Sequence, residues 1–289
     1  MAVDTAARTP APAPAPAGQD AARADGTRWP VTRWVLREQR RSLVLWAVSL
    51  AAITAMYLAF YPSMATDEME AVMQGLPESL MSVMGWDRIA TGSGYLESTI
   101  YGLLAPALLL VFGIAAGARL LAGHEEDGSL ELEGTAPISR RQLLLERYGA
   151  LAFALVVLCA VLAGATLVLV PVLAMDVTSA NILAATLGLW LFVLAMATVS
   201  FAVGAATGRR AVALGTGAGL AVLAYVADTL GEMMDGGGWL SAISPFGWYL
   251  GGDPLTQGVD AAGYALLAAL VLVALVAGAL RYERRDLGV

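Results

Sequence analysis

Six long apolar runs dominate this chain and constrain its fold more than any other feature. Each is too long for a strand, and each is about long enough, as a helix, to cross the hydrocarbon core of a membrane. Composition agrees, because 58% of the residues are hydrophobic and 14% are charged, against about a quarter charged in soluble domains. The sequence therefore predicts an all-α, polytopic membrane protein of about six transmembrane helices within residues 29–289. The predicted spans are residues 43–61, 99–122, 148–173, 181–207, 211–227 and 261–280.

The basic residues predict the orientation of these spans. All 17 of them are arginine, and with the N-terminus placed inside, only Arg88 falls in an outer segment. Such an excess of positive charge marks the cytoplasmic side of a membrane protein. Both termini are therefore predicted to be cytoplasmic.

Residues 1–28 differ in character from everything that follows. They contain alternating proline and alanine followed by small and polar residues, a composition typical of disorder. They lack the apolar core of a signal peptide. We predict a disordered cytoplasmic tail.

Residues 30–42 carry basic and apolar side chains at helical spacing. If the segment is helical, the arginines share one face, while Val31, Trp34 and Val35 fall largely on another. The pattern favours an amphipathic helix lying on the cytoplasmic membrane surface. The alternative is a plain flank whose arginines only set the topology. The predicted interfacial residues are Arg33, Trp34, Arg37, Arg40 and Arg41.

The outer segments differ strongly from one another. Residues 62–98 are long and acidic, and a tight turn surrounds Asp176, whereas residues 228–260 are rich in aromatic side chains. That aromatic density is typical of the membrane interface. It fits either short re-entrant helices dipping into the outer leaflet or an ordinary loop with an aromatic belt. The candidate re-entrant residues are Pro245, Phe246, Trp248 and Tyr249.

Missing residue types exclude several kinds of chemistry. Without a lysine the chain cannot form an ordinary P-loop for ATP, and it cannot form a Schiff base through lysine. A single histidine, His124, excludes zinc proteases with two-histidine motifs. The predicted spans contain almost no ionisable side chains, which disfavours ion-coupled carriers and intramembrane enzymes. We expect no catalytic residue, metal or cofactor in this chain, and a driving force that acts from outside the membrane.

The predicted cytoplasmic segment 123–142 is the most informative one. It opens with Glu125, Glu126 and Asp127, and it places two leucines amid charged residues. Ser139 with Gln142 has the spacing of a capping box that starts the next helix. The segment is either a solvated loop or a docking surface for another protein, and its leucines favour docking.

Three stretches resemble the ABC-2 type permeases, the membrane subunits of type V ABC exporters. Glu-Glu-x-Gly-Ser-Leu-Glu-Leu followed by Pro-Ile-Ser-Arg resembles the segment that serves this family as a coupling helix. Ser-Pro-Phe-x-Trp-Tyr is similar to the family's outer re-entrant region, and the C-terminal Arg-Tyr-Glu-Arg-Arg-Asp-Leu-Gly-Val to its ending. The resemblance covers about residues 30–289. It implies docking of a separate ATP-binding subunit through Glu125, Glu126, Gly128, Leu130, Glu131 and Arg140.

The resemblance implies an exporter that moves a hydrophobic or amphipathic substrate, such as a drug, an antibiotic or a lipid, out through a bacterial plasma membrane. ATP and magnesium would be held by two copies of the separate subunit. A second permease, as an identical copy or a paralogue, would complete the path within the lipid bilayer, and no nucleic acid is involved. Two other functions share the topology. They are a membrane anchor or regulatory subunit without transport, and an ion-coupled carrier.

Overall fold

The structure, a computed structural model, describes residues 30–64, 91–126, 139–234 and 236–284, and within these ranges it is helical without a strand. Six of its helices are long and apolar enough to cross a membrane. The predicted all-α, six-span architecture is confirmed. The predicted disordered tail, residues 65–90 of the predicted acidic outer segment and residues 127–138 of the predicted cytoplasmic segment lie outside the described residues.

The described helices extend beyond most of the predicted spans. The helix that leads into the first span is continuous from its amphipathic segment and is followed by a single turn, Tyr61–Met64. The second span starts at Gly92, so that Glu97 lies inside the helix and not in the outer loop. The helices are α1 (Pro30–Ala59), α2 (Gly92–Glu126), α3 (Arg140–Val172), α4 (Ser179–Thr207), α5 (Arg210–Met233), α6 (Gly238–Ile243), α7 (Pro245–Leu250) and α8 (Ala261–Arg284).

Helix α4 is the centre of the bundle, and α2, α3, α5 and α8 pack against it. In its most apolar stretch 72% is buried within the chain, against 17% for the first span. Small residues allow the close approach: a Cβ on Gly117 of α2 would lie 2.6 Å from the Ala197 carbonyl oxygen of α4. Glycine is required there because only its missing side chain lets the two backbones meet.

Helix α2 contains a π-helical stretch, Leu96–Leu104, in which backbone hydrogen bonds reach five residues back. In that register the Tyr101 carbonyl would accept from residue 106, which is a proline and has no N–H. The Tyr249 hydroxyl of α7 donates to this carbonyl instead, at 2.9 Å. The π-helical stretch thus leaves the buried Tyr101 carbonyl oxygen without a partner in its own helix, and Tyr249 of α7 supplies the hydrogen-bond donor.

Candidate functional site

The predicted docking segment leaves the end of α2 and returns at the start of α3. We call this end of the bundle, predicted to face the cytoplasm, the inner end. Glu125 is half-buried, whereas Glu126 and Arg140 are exposed. The other predicted docking residues, Gly128, Leu130 and Glu131, lie outside the described part of the chain. The structure therefore describes both flanks of the segment.

The start of α3 has the Ser139 half of the capping box predicted from the sequence. The Ser139 side chain accepts a hydrogen bond from the Gln142 backbone N–H at 3.2 Å, as an N-cap does. The Gln142 side chain donates to Glu146 Oε1 at 2.9 Å. The helix therefore begins where the spacing indicates, and Gln142 in its first turn is hydrogen-bonded to the buried carboxylate of Glu146.

Glu146 fastens α3 to the start of α1. It is only 1% exposed, and its Oε2 accepts from the backbone N–H of Thr32 at 3.4 Å. The Thr32 hydroxyl donates to the Glu146 carbonyl at 2.9 Å. Sequence reasoning missed this residue because it stands among charged neighbours and nothing in its spacing distinguishes it from them.

Arg147 fastens α3 to α2. It is fully buried, and its guanidinium donates to the carbonyl oxygen of Leu120. Leu120 lies in a second π-helical stretch, Arg119–Gly123, just before the docking segment. The sequence indicated only a topology-setting arginine here, and the structure adds a bond between the two flanks.

Glu126 connects the other flank to α5. Its Oε1 accepts a hydrogen bond from the backbone N–H of Arg210, the first residue of α5, at 2.9 Å. Arg209, at the cap position of this helix, makes no side-chain cap bond. The flanks of the docking segment thus contact the starts of both α1 and α5.

The predicted interfacial segment is the first part of α1. Arg37, Arg40 and Arg41 are exposed, while Val35 is 3% exposed and packs into the core. The side chains of Arg33 and Trp34 lie outside the described residues. The three described arginines are thus exposed and Val35 is buried, and the placement of this segment on the membrane surface stays a prediction.

A groove of about 520 Å³ lies between α2 and α5. Pro106, Leu110 and Ile114 line it from α2, and Ala218 and Ala221 line it from α5. Almost all of its lining atoms are apolar. Such a groove can bind a hydrophobic molecule. A strongly charged molecule would lose its hydration there without gaining a polar partner.

An aromatic cluster lines part of the groove. Phe246 packs edge-on against Tyr225 of α5, with ring centroids 5.2 Å apart, and against Phe192 of α4 at 5.5 Å. Tyr249 stacks on Phe192 at 5.7 Å. Phe192 lies about 20 Å along α4 from its start. Helix α7 is therefore folded back among the spans.

The predicted re-entrant residues take different places in this arrangement. Pro245, Phe246 and Tyr249 are buried, while Trp248 is half-buried and donates from Nε1 to the Ala242 carbonyl at 2.7 Å. The buried side chains join α7 to the groove and to α2.

The helical hairpin α6–α7 is locked onto the far end of α5. The Ser244 hydroxyl donates to the Ala224 carbonyl at 2.6 Å and caps α7 by accepting from the Phe246 N–H. A Cβ on Gly247 would lie 2.6 Å from Asp228 Oδ1. The end of α5 opposite the inner end, which we call the outer end, is thus hydrogen-bonded to the hairpin and so close to it that Gly247 has no room for a side chain.

These features define a polytopic, all-helical membrane protein with an apolar groove and with a segment between α2 and α3 whose flanks are bonded to other spans. The chain belongs to the family described as ABC-2 family transporter protein, which it matches over residues 29–287. The resemblance seen in the sequence is confirmed. Members of this family are membrane domains without an ATPase of their own, and they pair with an ABC ATP-binding subunit. No match was found among curated proteins.

Proposed function

We propose that this chain is the permease subunit of an ABC exporter that moves hydrophobic or amphipathic molecules outward. The groove between α2 and α5 carries the proposal, since its lining is almost wholly apolar and its volume is about 520 Å³. Pockets for drug-sized ligands have volumes of this order. A drug, an antibiotic or a lipid fits such a lining.

The energy would come from two copies of a separate subunit that binds ATP and magnesium and docks on segment 123–142. ATP binding would draw the two subunits together, and the docking segments would pass this movement to the spans. The work is supplied by the different affinities of the partner's two states. The bonds from the flanks to α1 and α5 support this path, because they give the segment a mechanical connection to the spans.

A second permease would close the open side of the groove. Helix α5 presents exposed apolar side chains, among them Val222 and Leu223 at 61% and 66% exposure. A Cβ added to Gly215 or Gly219 would meet nothing within 4 Å, so another helix could approach there closely. We propose an identical copy as this partner, in a bacterial plasma membrane with both termini in the cytoplasm.

The groove is tested with the chain reconstituted in liposomes together with its ATP-binding subunit. Ala218→Trp fills the groove, and we expect it to lower ATP-dependent accumulation of a hydrophobic fluorescent dye by about tenfold, the loss of roughly 1.4 kcal/mol. Co-purification with the ATP-binding subunit should not change. The matched control is Leu272→Trp on α8, which is 62% exposed and lies outside the groove.

Two outcomes would contradict the proposal. Normal transport by Ala218→Trp would show that the groove is not the substrate path. If the wild-type complex moves no hydrophobic probe, and no such probe changes its ATPase rate, the chain is an anchor or regulatory subunit instead.

A further inference from the structure

We propose that Glu126 is a positioning residue that couples the docking segment to α5, and not a contact to the ATP-binding subunit. We call the hydrogen bond from the Arg210 N–H to Glu126 Oε1 the inner clasp. This inference rests on the proposed function. It gives Glu126, one of the predicted docking residues, a role within the permease instead of a contact with the ATP-binding subunit.

The clasp supplies a hydrogen-bond acceptor that the residues just before α5 do not provide. The first N–H groups of a helix have no partner within the helix, and a side chain at the cap position usually accepts from one of them. Arg209, at that position, has no side-chain oxygen. Gly208 has a φ of 63° and turns the chain so tightly that α5 starts directly after α4. The Glu126 carboxylate supplies the missing acceptor, and its negative charge suits the positive end of the helix dipole.

The other long helices with a described cap use a neighbouring residue of their own segment. Thr91 caps α2, Ser139 caps α3 and Thr178 caps α4, while Asp260 accepts from the first N–H groups of α8. In contrast, the first turns of α1 and α5 receive their acceptors from Glu146 and Glu126. These two carboxylates flank the docking segment on opposite sides. The two carboxylates therefore attach the ends of the segment to two other spans.

The clasp also joins the two walls of the groove. Glu126 is the last residue of α2, and Arg210 is the first residue of α5. From Arg210, α5 reaches the groove at Leu214, about 6 Å further along its axis. A helix without a proline tilts as a stiff rod over that distance, so a displacement of its first turn reaches the groove with little bending. A movement of the docking segment therefore shifts both walls together as long as the clasp holds.

The test separates docking from coupling in the complete complex. Glu126→Ala should leave co-purification with the ATP-binding subunit within about twofold of the wild type. It should speed hydrogen exchange in the first turn of α5 by about fivefold, as expected for a lost cap. Dye transport per ATP hydrolysed should fall at least as much. Glu126→Gln retains a side-chain oxygen acceptor, and we expect it to keep most of the transport.

Two controls isolate the clasp. Thr178→Ala removes the cap of α4 at the opposite end of the bundle, and it should speed exchange in α4 without lowering the ratio of transport to ATP hydrolysis. Glu125→Arg changes the neighbouring carboxylate, and it should weaken co-purification while exchange in α5 stays unchanged.

The inference is overturned if Glu126→Ala leaves exchange in α5 unchanged, or if it weakens co-purification as much as Glu125→Arg does. It is also overturned if exchange rises but transport per ATP stays normal. A failure of the proposed function looks different, because the wild-type complex itself would then transport no dye while the exchange effect of Glu126→Ala would still be seen.

Discussion

The two ends of α5 are held in opposite ways. At the outer end Asp228 is 7% exposed and Ser244 is 2% exposed, and Gly247 lies against α5 without room for a methyl group. At the inner end the clasp joins two exposed residues, Glu126 and Arg210. A buried, close-packed contact resists small displacements, whereas an exposed hydrogen bond contributes only about 1 kcal/mol.

This difference suggests that the two ends of α5 have different functions. The outer end can serve as a fixed point, because moving it would separate the hairpin from the bundle. The inner end can follow the docking segment at a small cost in free energy. We therefore expect substitutions at the outer end to affect stability most, and substitutions at the inner end to affect coupling most.

The largest expected effect on stability is that of Gly247→Ala. The new Cβ would collide with the Ser241 carbonyl oxygen and with Asp228 Oδ1, so that α7 must move away from α5. We expect a loss of about 3 kcal/mol in the free energy of unfolding, measured by reversible unfolding in detergent. Gly238→Ala in α6 is the matched control, because its Cβ would meet nothing within 4 Å. Equal stability of the two variants would mean that the hairpin is not locked to α5.

A smaller effect is expected at the inner end from Glu146→Ala. The change removes the acceptor for the Thr32 N–H and for the Gln142 side chain, and it should cost about 2 kcal/mol because hydrogen bonds to a charged group are stronger than neutral ones. Hydrogen exchange should rise mainly in the first turns of α1. Glu283→Ala removes an exposed charge from the inner end of α8 and serves as control. A loss as large as that of Gly247→Ala would remove the contrast between the two ends.

The smallest effect on stability is expected from Gly215→Leu in the second turn of α5. Nothing lies within 4 Å of a Cβ there, so the free energy of unfolding of the single chain should change by less than about 0.5 kcal/mol. Association of two permease copies should nevertheless weaken, as measured by cross-linking in membranes. Gly164→Leu on α3, also open around its Cβ, should leave association intact. If Gly215→Leu associates as strongly as the wild type, the second copy does not bind to this face of α5, and lipid covers the face instead.

Much of the fold could be predicted because it follows from the composition of continuous segments. A run such as 181–207 must form a helix in a membrane, since its backbone polar groups have no other partner there. The capping signal at Ser139 is equally local, and the structure bears it out. The ends of the spans were less predictable, because charged residues such as Glu97 can extend a helix past its apolar part.

The details of the candidate site could not be predicted for a different reason. Glu126 was a predicted docking residue, but no spacing indicates that its carboxylate meets Arg210, which lies 84 positions further along the chain. The pairing of Tyr249 with the carbonyl of Tyr101 depends on the π-helical register next to Pro106, which residue types alone do not specify. Long-range pairs of this kind arise only when the helices are packed.

The sequence by itself determined that this chain lies in a membrane with about six helical spans, and its motifs identified the family. These properties depend on the transfer of side chains from water to lipid and on short local patterns, which can be read residue by residue. Only the tertiary structure decided that α4 is the core, that α2 and α5 enclose an apolar groove, and that α5 is locked at one end and clasped at the other. The physical reason is that each depends on which helix faces bury one another, and many arrangements of six apolar helices satisfy the membrane equally well.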